Sequence, residues 1–249
     1  MLVDVAALRY VAPLREGGSL PGLIETDDLG TYVVKFTGAG QGPKALVAEV
    51  ITSEIARRLE FRVPTLVTVE LDGALAPAEP DQEIQDLLRA SVGRNLGSDF
   101  LPGALSYDAT AFAPEPKFAA NLLWLDAWTN NVDRSWRNPN LLWWHGHVWL
   151  IDHGATLTFQ HNWGPVAEFA QRPYDARGHV MAPHVNSLAQ THERFRDIVT
   201  SELLNEVVAL VPEQWLGEGP DAQRDRYVTY LTERLKAAPA WFPNLDSAA

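Results

Sequence analysis

Apolar residues change their period several times along the chain, and each change predicts an element. Residues 8–14 read as a short strand, and residues 31–36 (Thr-Tyr-Val-Val-Lys-Phe) as a stronger one, rich in β-formers. Between residues 44 and 59, Leu46, Val47, Val50, Ile51, Ile55 and Leu59 recur at three- and four-residue steps, which predicts an amphipathic helix. Residues 64–71 predict a strand, Asp72-Gly73 a turn, and residues 74–80 a loop. Helical spacing returns over residues 81–94 through Ile84, Leu87, Leu88 and Val92, with Asp81 as N-cap. Residues 98–105 predict another strand. Residues 118–130 predict a helix striped by Leu122, Leu125 and Trp128, on which Asp126 is expected as a solvated or capping charge. Two apolar runs, 141–144 and 147–151, flank Gly146 and predict a hairpin. Amphipathic helices are expected over residues 191–211 and 221–236.

Polar residues of a particular kind stand at the ends of these elements. Asp133, Asn138 and Asn140 precede the hairpin and Asp152 follows it, so pairing the two runs would bring them together. Carboxylates and carboxamides form an all-oxygen ligand set that suits Mg²⁺ far better than zinc. Lys35 is the sole ionisable group near its strand centre apart from the Tyr32 phenol, and its hydrophobic flanks predict burial or a partner. Gly17, Gly18 and Ser19 lie in a glycine-rich turn before that strand, where a backbone can approach phosphate oxygens. Glu49 and Glu54, on the following helix, are carboxylates placed to reach back to Lys35. Glu54 precedes Arg58 by four residues, the spacing of a surface pair. A second glycine-rich turn, residues 37–43, is expected near phosphates or substrate.

An Asp, an Asn five residues on, and a hairpin ending in Asp-x-Gly resemble the catalytic loop and metal-binding Asp of the protein-kinase-like superfamily. The Asp133-Arg134 pair looks more like the phosphatidylinositol-kinase and HipA branch. The closest resemblance is to the HipA-like kinase domains of bacteria, over most of residues 5–160. It implies an α+β, two-lobed protein-kinase-like fold, with a small antiparallel-sheet N-lobe (1–105) and a mostly helical C-lobe (106–249). It further implies ATP and Mg²⁺. Gly17, Gly18 and Ser19 would cover the phosphates, Lys35 would contact them, and Glu49 (alternatively Glu54) would steady the lysine. Residues 98–105 would form the hinge, with Asp99 and Leu101 holding adenine by backbone hydrogen bonds. Asp133 would orient the acceptor hydroxyl and take its proton, while Arg134 and Arg137 steady the loop or the transferring phosphoryl group. Asn138 or Asn140, with Asp152, would bind metal. His153 stands where the family usually has Phe, so no Phe-driven switch is inherited.

The acceptor is open: a protein Ser or Thr, the chain itself, or a small molecule. Kinases of the aminoglycoside and choline type generally carry His-Gly-Asp before the Asn, where this chain has Asn131-Val132-Asp133. A catalytically silent nucleotide-binding scaffold is the reading from another class. Residues 1–7 leave no room for the extra subdomain of HipA toxins, so toxin biology is not expected.

Composition narrows the setting. At 249 residues, 46% hydrophobic and 21% charged, the chain has enough apolar material for a sizeable core. A net charge of -12 argues against a nucleic-acid backbone as partner. The absence of cysteine excludes disulfides and thiolate zinc sites, and no apolar run reaches membrane-helix length or forms a secretory signal, so a cytoplasmic protein without membrane contact is expected. The nine tryptophans are expected to fill the core around the hairpin, and His145, His147, His153 and His161 are not expected to form a zinc site.

Overall fold

The computed structural model describes residues 1–14 and 20–245. Their contacts cluster into two units, residues 1–47 with 64–103, and residues 48–63 with 104–249.

In the first unit, β1 (Val3–Pro13) pairs antiparallel with β2 (Gly22–Thr26), which pairs with β3 (Thr31–Lys35). The β2–β3 turn is fastened by Asp28, whose carboxylate accepts from Thr26 Oγ1, from the Gly30 N–H at 2.9 Å and from the Tyr32 hydroxyl at 2.8 Å. Helix α1 (Gly42–Arg58) follows, and its residues from Ala48 onward belong to the second unit. β4 (Leu66–Leu71), a 3₁₀ turn at Gly73–Ala78, α2 (Gln82–Ala90) and β5 (Gly93–Asp99) complete the first unit. Asp81 caps α2 by accepting the Glu83 N–H, as its position suggests.

Three expectations change here. The strands close into a barrel, β1-β2-β3-β5-β4, and β1 runs parallel to β4, so the expected antiparallel sheet is not wholly antiparallel. β2 was hidden behind the glycine-rich turn, where five residues give too short a pattern to stand alone. β5 lies over Gly-Arg-Asn-Leu-Gly-Ser-Asp rather than residues 98–105. Those residues are poor β-formers, and their conformation comes from pairing with β3 on one side and β4 on the other. Gly97 is required there, because a Cβ would stand 2.7 Å from Val69 Cγ2 and 2.8 Å from Val67 Cγ2. The barrel core holds Ile24, Val34, Phe36, Val69 and Leu71, sealed by Ile84 and Leu88 of α2.

The second unit continues with β6 (Leu105–Ser106), α3 (Pro116–Thr129), β7 (Leu141–Trp144) and β8 (His147–Leu150), the three strands forming a sheet in the order β6-β7-β8. Helices α4 (Val166–Gln171), α5 (Ala189–Ile198), α6 (Ser201–Val208), α7 (Glu213–Leu216) and α8 (Pro220–Lys236) follow. The single helix expected over residues 191–211 is two, because Thr200 leaves the helical conformation and caps α6 by accepting the Leu203 N–H. Tryptophan is also divided. Trp124, Trp128 and Trp241 are fully buried around α3, whereas Trp136 is 66% exposed and the hairpin's Trp143, Trp144 and Trp149 are half-buried. No helix among the described residues is long and apolar enough to cross a membrane.

Candidate active site

α3 is apolar on almost every side, and Leu122 to Thr129 are all buried, Asp126 among them. The helix stops at Asn130, whose backbone turns left-handed (φ 54°) and releases the chain into the polar loop. Asp126 is the hub of that loop. Its carboxylate accepts from Arg134 Nε at 2.6 Å, from Asn131 Nδ2 at 2.8 Å, and contacts His179 Nε2 at 3.0 Å. Burial alone would push this carboxyl up, but the Arg134 charge and the His179 and Asn131 hydrogen bonds outweigh it and hold the group down at about 2. Met181 N–H donates to His179 Nδ1, which makes Nε2 the protonated nitrogen facing Asp126.

Asp126 is therefore no solvated charge. Nor does Arg134 face a phosphoryl group, because its side chain is completely buried. Its second arm donates to the carbonyls of Pro139 (3.1 Å) and Asn140 (2.7 Å), so it closes the loop on itself. The signal in the sequence was the company Asp126 keeps: a helix hydrophobic all round buries whatever it carries.

Asp133 is set by this frame. Its N–H donates to Asn131 Oδ1 at 3.0 Å, and its half-buried carboxylate accepts from two carboxamides. Asn138 Nδ2 lies 3.2 and 3.1 Å from its two oxygens. Asn140 Nδ2 lies 3.3 Å from Oδ2 and 2.6 Å from the Asp133 carbonyl. Both asparagines thus meet at Asp133, and both turn their N–H groups to it. Arg137 does something else, lying 4.7 Å over the exposed Trp136 ring.

The hairpin has the register Leu141↔Leu150 to Trp144↔His147. Past its last pair, the Ile151 N–H donates to the Asn140 carbonyl at 3.1 Å, which puts Asp152 one residue from that bond. Asn140 (φ 47°) and Asp152 (φ 55°) both hold left-handed backbones, which these two residue types tolerate better than most.

His153 is fully buried and its N–H donates to Glu49 Oε2 at 2.7 Å. Its Nδ1 lies 3.1 Å from Ser53 Oγ, and Thr52 Oγ1 meets Thr156 Oγ1 at 2.7 Å. A buried polar face of α1, Glu49-Thr52-Ser53, therefore grips the backbone around the Asp-x-Gly segment. Glu54 stands apart and pairs with Arg57 rather than Arg58, which reaches Glu206.

The remaining expected residues lie in the first unit or outside the description. Gly17, Gly18 and Ser19 lie outside the described residues. Lys35 is half-buried at the end of β3, opposite Leu96, on the face away from the core residues Tyr32 and Val34. Asp99 spends its N–H on the Thr65 carbonyl at 2.9 Å, so only its carbonyl remains for an adenine contact; Leu101 is buried. Gly38 is explained by packing, since a Cβ there would meet Ser91 Oγ at 2.7 Å. In the second unit, Tyr174 is buried and donates to the Asn131 carbonyl at 2.7 Å, while the Trp136 N–H donates to the Gly178 carbonyl at 3.0 Å, so residues 174–178 pack against the Asp133 loop. The Asp175–Arg177 pair beside Tyr174 is exposed.

The sequence model of the HipA-like kinases matches residues 9–240. The chain belongs to the HipA-like kinase family. The crystal structure of the Helicobacter pylori proinflammatory kinase CtkA shares its fold, with a TM-score of 0.59 at 12% identity over 96% of this chain and 97% of that one. The Golgi casein kinase with Mn/ADP bound aligns at 12% identity over 96% of this chain and 73% of its own, with a TM-score of 0.45. No curated protein matches this HipA-like chain significantly. Membership of the family supports kinase-type phosphotransfer in general, and the fold is mixed α+β, as expected.

Proposed function

We propose that the chain is an ATP- and Mg²⁺-dependent phosphotransferase with a two-lobed kinase arrangement, moving the γ-phosphoryl group to a hydroxyl acceptor. The observation that carries this reading is the Asp133 carboxylate, held by the Asn138 and Asn140 amides and not neutralised by its neighbour Arg134. Two carboxamide donors fix its direction and leave lone pairs for an incoming hydroxyl. The acceptor oxygen would bond to phosphorus as the bond from phosphorus to the β-phosphate oxygen breaks, and the hydroxyl proton would pass to Asp133. An ordinary carboxylate suffices, since phosphoryl transfer rests mainly on positioning and charge neutralisation.

The donor set fits Mg²⁺. Asn138 and Asn140 turn N–H groups to Asp133, so their carboxamide oxygens, with the Asp152 carboxylate, are the hard ligands on offer. Among the described residues no three His, Cys, Asp or Glu side chains form a metal site by themselves. That suits Mg²⁺, which takes one or two protein carboxylates and completes its shell with water and phosphate oxygens. Bound there, the ion would supply charge neutralisation on the phosphates. Lys35 is assigned to the phosphates, Glu49 to steadying the Asp-x-Gly segment, and Arg134 to positioning the loop. The acceptor is a protein Ser or Thr, the chain itself, or a small molecule.

The test is release or transfer of the γ-phosphate of ATP in wild type, Asp133→Ala and Asp152→Ala, with folding checked by circular dichroism. Turnover should fall roughly 10²–10⁴-fold in each variant. Unchanged turnover in folded variants would remove the assignment. Metal-dependent thermal stabilisation by ATP without any transfer would mark a silent nucleotide-binding protein instead.

A further inference from the structure

The hairpin β7–β8 carries Asn140 and Asp152 at its open end, while its closed end, at Gly146, lines a cavity of about 520 Å³. That volume falls in the range of roughly 300–1,000 Å³ typical of ligand pockets. None of Asp133, Asn138, Asn140 and Asp152 lines it. The length of one strand separates the two ends, roughly 13 Å at about 3.3 Å per residue.

The floor is aromatic and braced. The Trp143 ring stacks on Phe112 with centroids 4.3 Å apart and planes at 15°. Tyr107 ties down the segment carrying Phe112: its hydroxyl donates to the Phe112 carbonyl at 2.6 Å, and its N–H to the Leu141 carbonyl at 3.0 Å. Phe61 and Phe118 meet edge to face on another wall, at 5.9 Å.

Arg62, Lys117 and Arg194 stand exposed around this floor, and among the described residues none has a carboxylate partner. Arg194 donates to the neutral Asn121 carboxamide at 2.6 Å and lies over Phe195. Glu60 and Glu115 also line the cavity, so three permanent cations face two carboxylates, beside His147. Over the whole chain the balance is reversed, at 20 basic to 32 acidic residues. The cavity is a locally basic place on an acidic protein, with stacked rings at its base.

We propose that this cavity docks a linear segment of a partner polypeptide in which carboxylates flank a large apolar or aromatic side chain. The apolar side chain covers the Trp143–Phe112 stack, and the carboxylates meet Arg62, Lys117 and Arg194. Aromatic and arginine side chains carry much of the energy of such interfaces, and rim charges set their salt dependence. Docking here does not require phosphoryl transfer, so the two assignments stand or fall separately.

The experiment is fluorescence anisotropy on the full chain with three fluorescein-labelled twelve-residue peptides. One places Phe and Leu among Glu and Asp, one replaces the acids by Lys, and one replaces Phe and Leu by Ala. The first should bind, more weakly as NaCl rises, and the other two should bind at least about tenfold more weakly. Binding should also fall at least about tenfold in Arg62→Glu/Lys117→Glu and in Trp143→Ala, and should not change in Arg89→Glu, a charge reversal at an exposed α2 arginine that does not line the cavity. Absence of binding by wild type, equal binding of all three peptides, or equal losses in Arg89→Glu would each overturn docking at this cavity. Full displacement by free 2-naphthoate at the peptide's own concentration would assign the cavity to a small aromatic acid and overturn it too. Wild-type fold in the variants is confirmed by their thermal transitions.

Discussion

Asp126 shows how a single buried charge can set the geometry of a site it never enters. Its oxygens hold Arg134, Asn131 and His179, and Asn131 in turn holds the backbone of Asp133. Asp126→Ala leaves the Arg134 guanidinium buried and uncompensated, and should destabilise the fold by about 3–5 kcal/mol in urea titrations. Adding Arg134→Met to that variant should recover part of the loss, because the stranded charge is then gone. The pH dependence has a definite sign. A folded-state carboxyl at about 2 lies below its ordinary value, so the unfolded chain binds the proton more readily. The stabilisation is complete above about pH 5 and is lost as pH falls from about 4 towards 2. Melting temperatures across that window should fall more steeply for wild type than for Asp126→Asn.

At the level of elements, what could be read from sequence depended on whether the deciding forces were local. The β3 strand, α1, α3 and the β7–β8 hairpin carry their own periodicity, and they formed where the pattern put them. The meeting of Asn138 and Asn140 with Asp133 was legible for the same reason, since these residues stand at the ends of strongly patterned elements. β5 was not legible, since Gly93 to Asp99 is a strand only because β3 and β4 hold it from both sides. The partners of Glu49 were hidden as well, because His153 lies about a hundred residues away and no local pattern joins them. Gly97 is where this tertiary control can be measured. Gly97→Ala inserts a methyl between Val67 and Val69, stiff β-branched neighbours, and should cost about 1–3 kcal/mol in urea unfolding.

Across the second unit, one residue joins distant parts of the chain. Arg234 of α8 is fully buried and, among the described residues, has no carboxylate as a hydrogen-bond partner. It donates to the carbonyls of Ala127 and Trp128 at the end of α3, and to those of Phe169 and Arg172 at the end of α4. All four lie at the negative end of a helix dipole, where the C-terminus leaves carbonyls short of internal partners; that of Phe169 also accepts the capping Arg172 N–H at 3.2 Å. Burial first, and then the Arg172 charge, push the guanidinium down to about 9, which still leaves it charged at neutral pH. The ring of Trp241 packs beside it and donates from Nε1 to its carbonyl at 2.6 Å. Arg234→Met should therefore cost about 2–4 kcal/mol and raise amide exchange around residues 126–134. Arg234→Lys should restore only part, since a single ammonium cannot serve two helix ends.

The same bond pattern orders events in time. Protein synthesis runs from the N-terminus, so α3 leaves the ribosome long before α8, and its last carbonyls wait for an arginine 107 positions downstream. Until Arg234 emerges, the Ala127 and Trp128 carbonyls near the end of the helix that delivers Asp133 lack this donor, although Asn130 already caps the helix locally. A nascent chain can assemble the β-barrel early, but the end of α3 gains its bonds from α8 only once that arginine has been made.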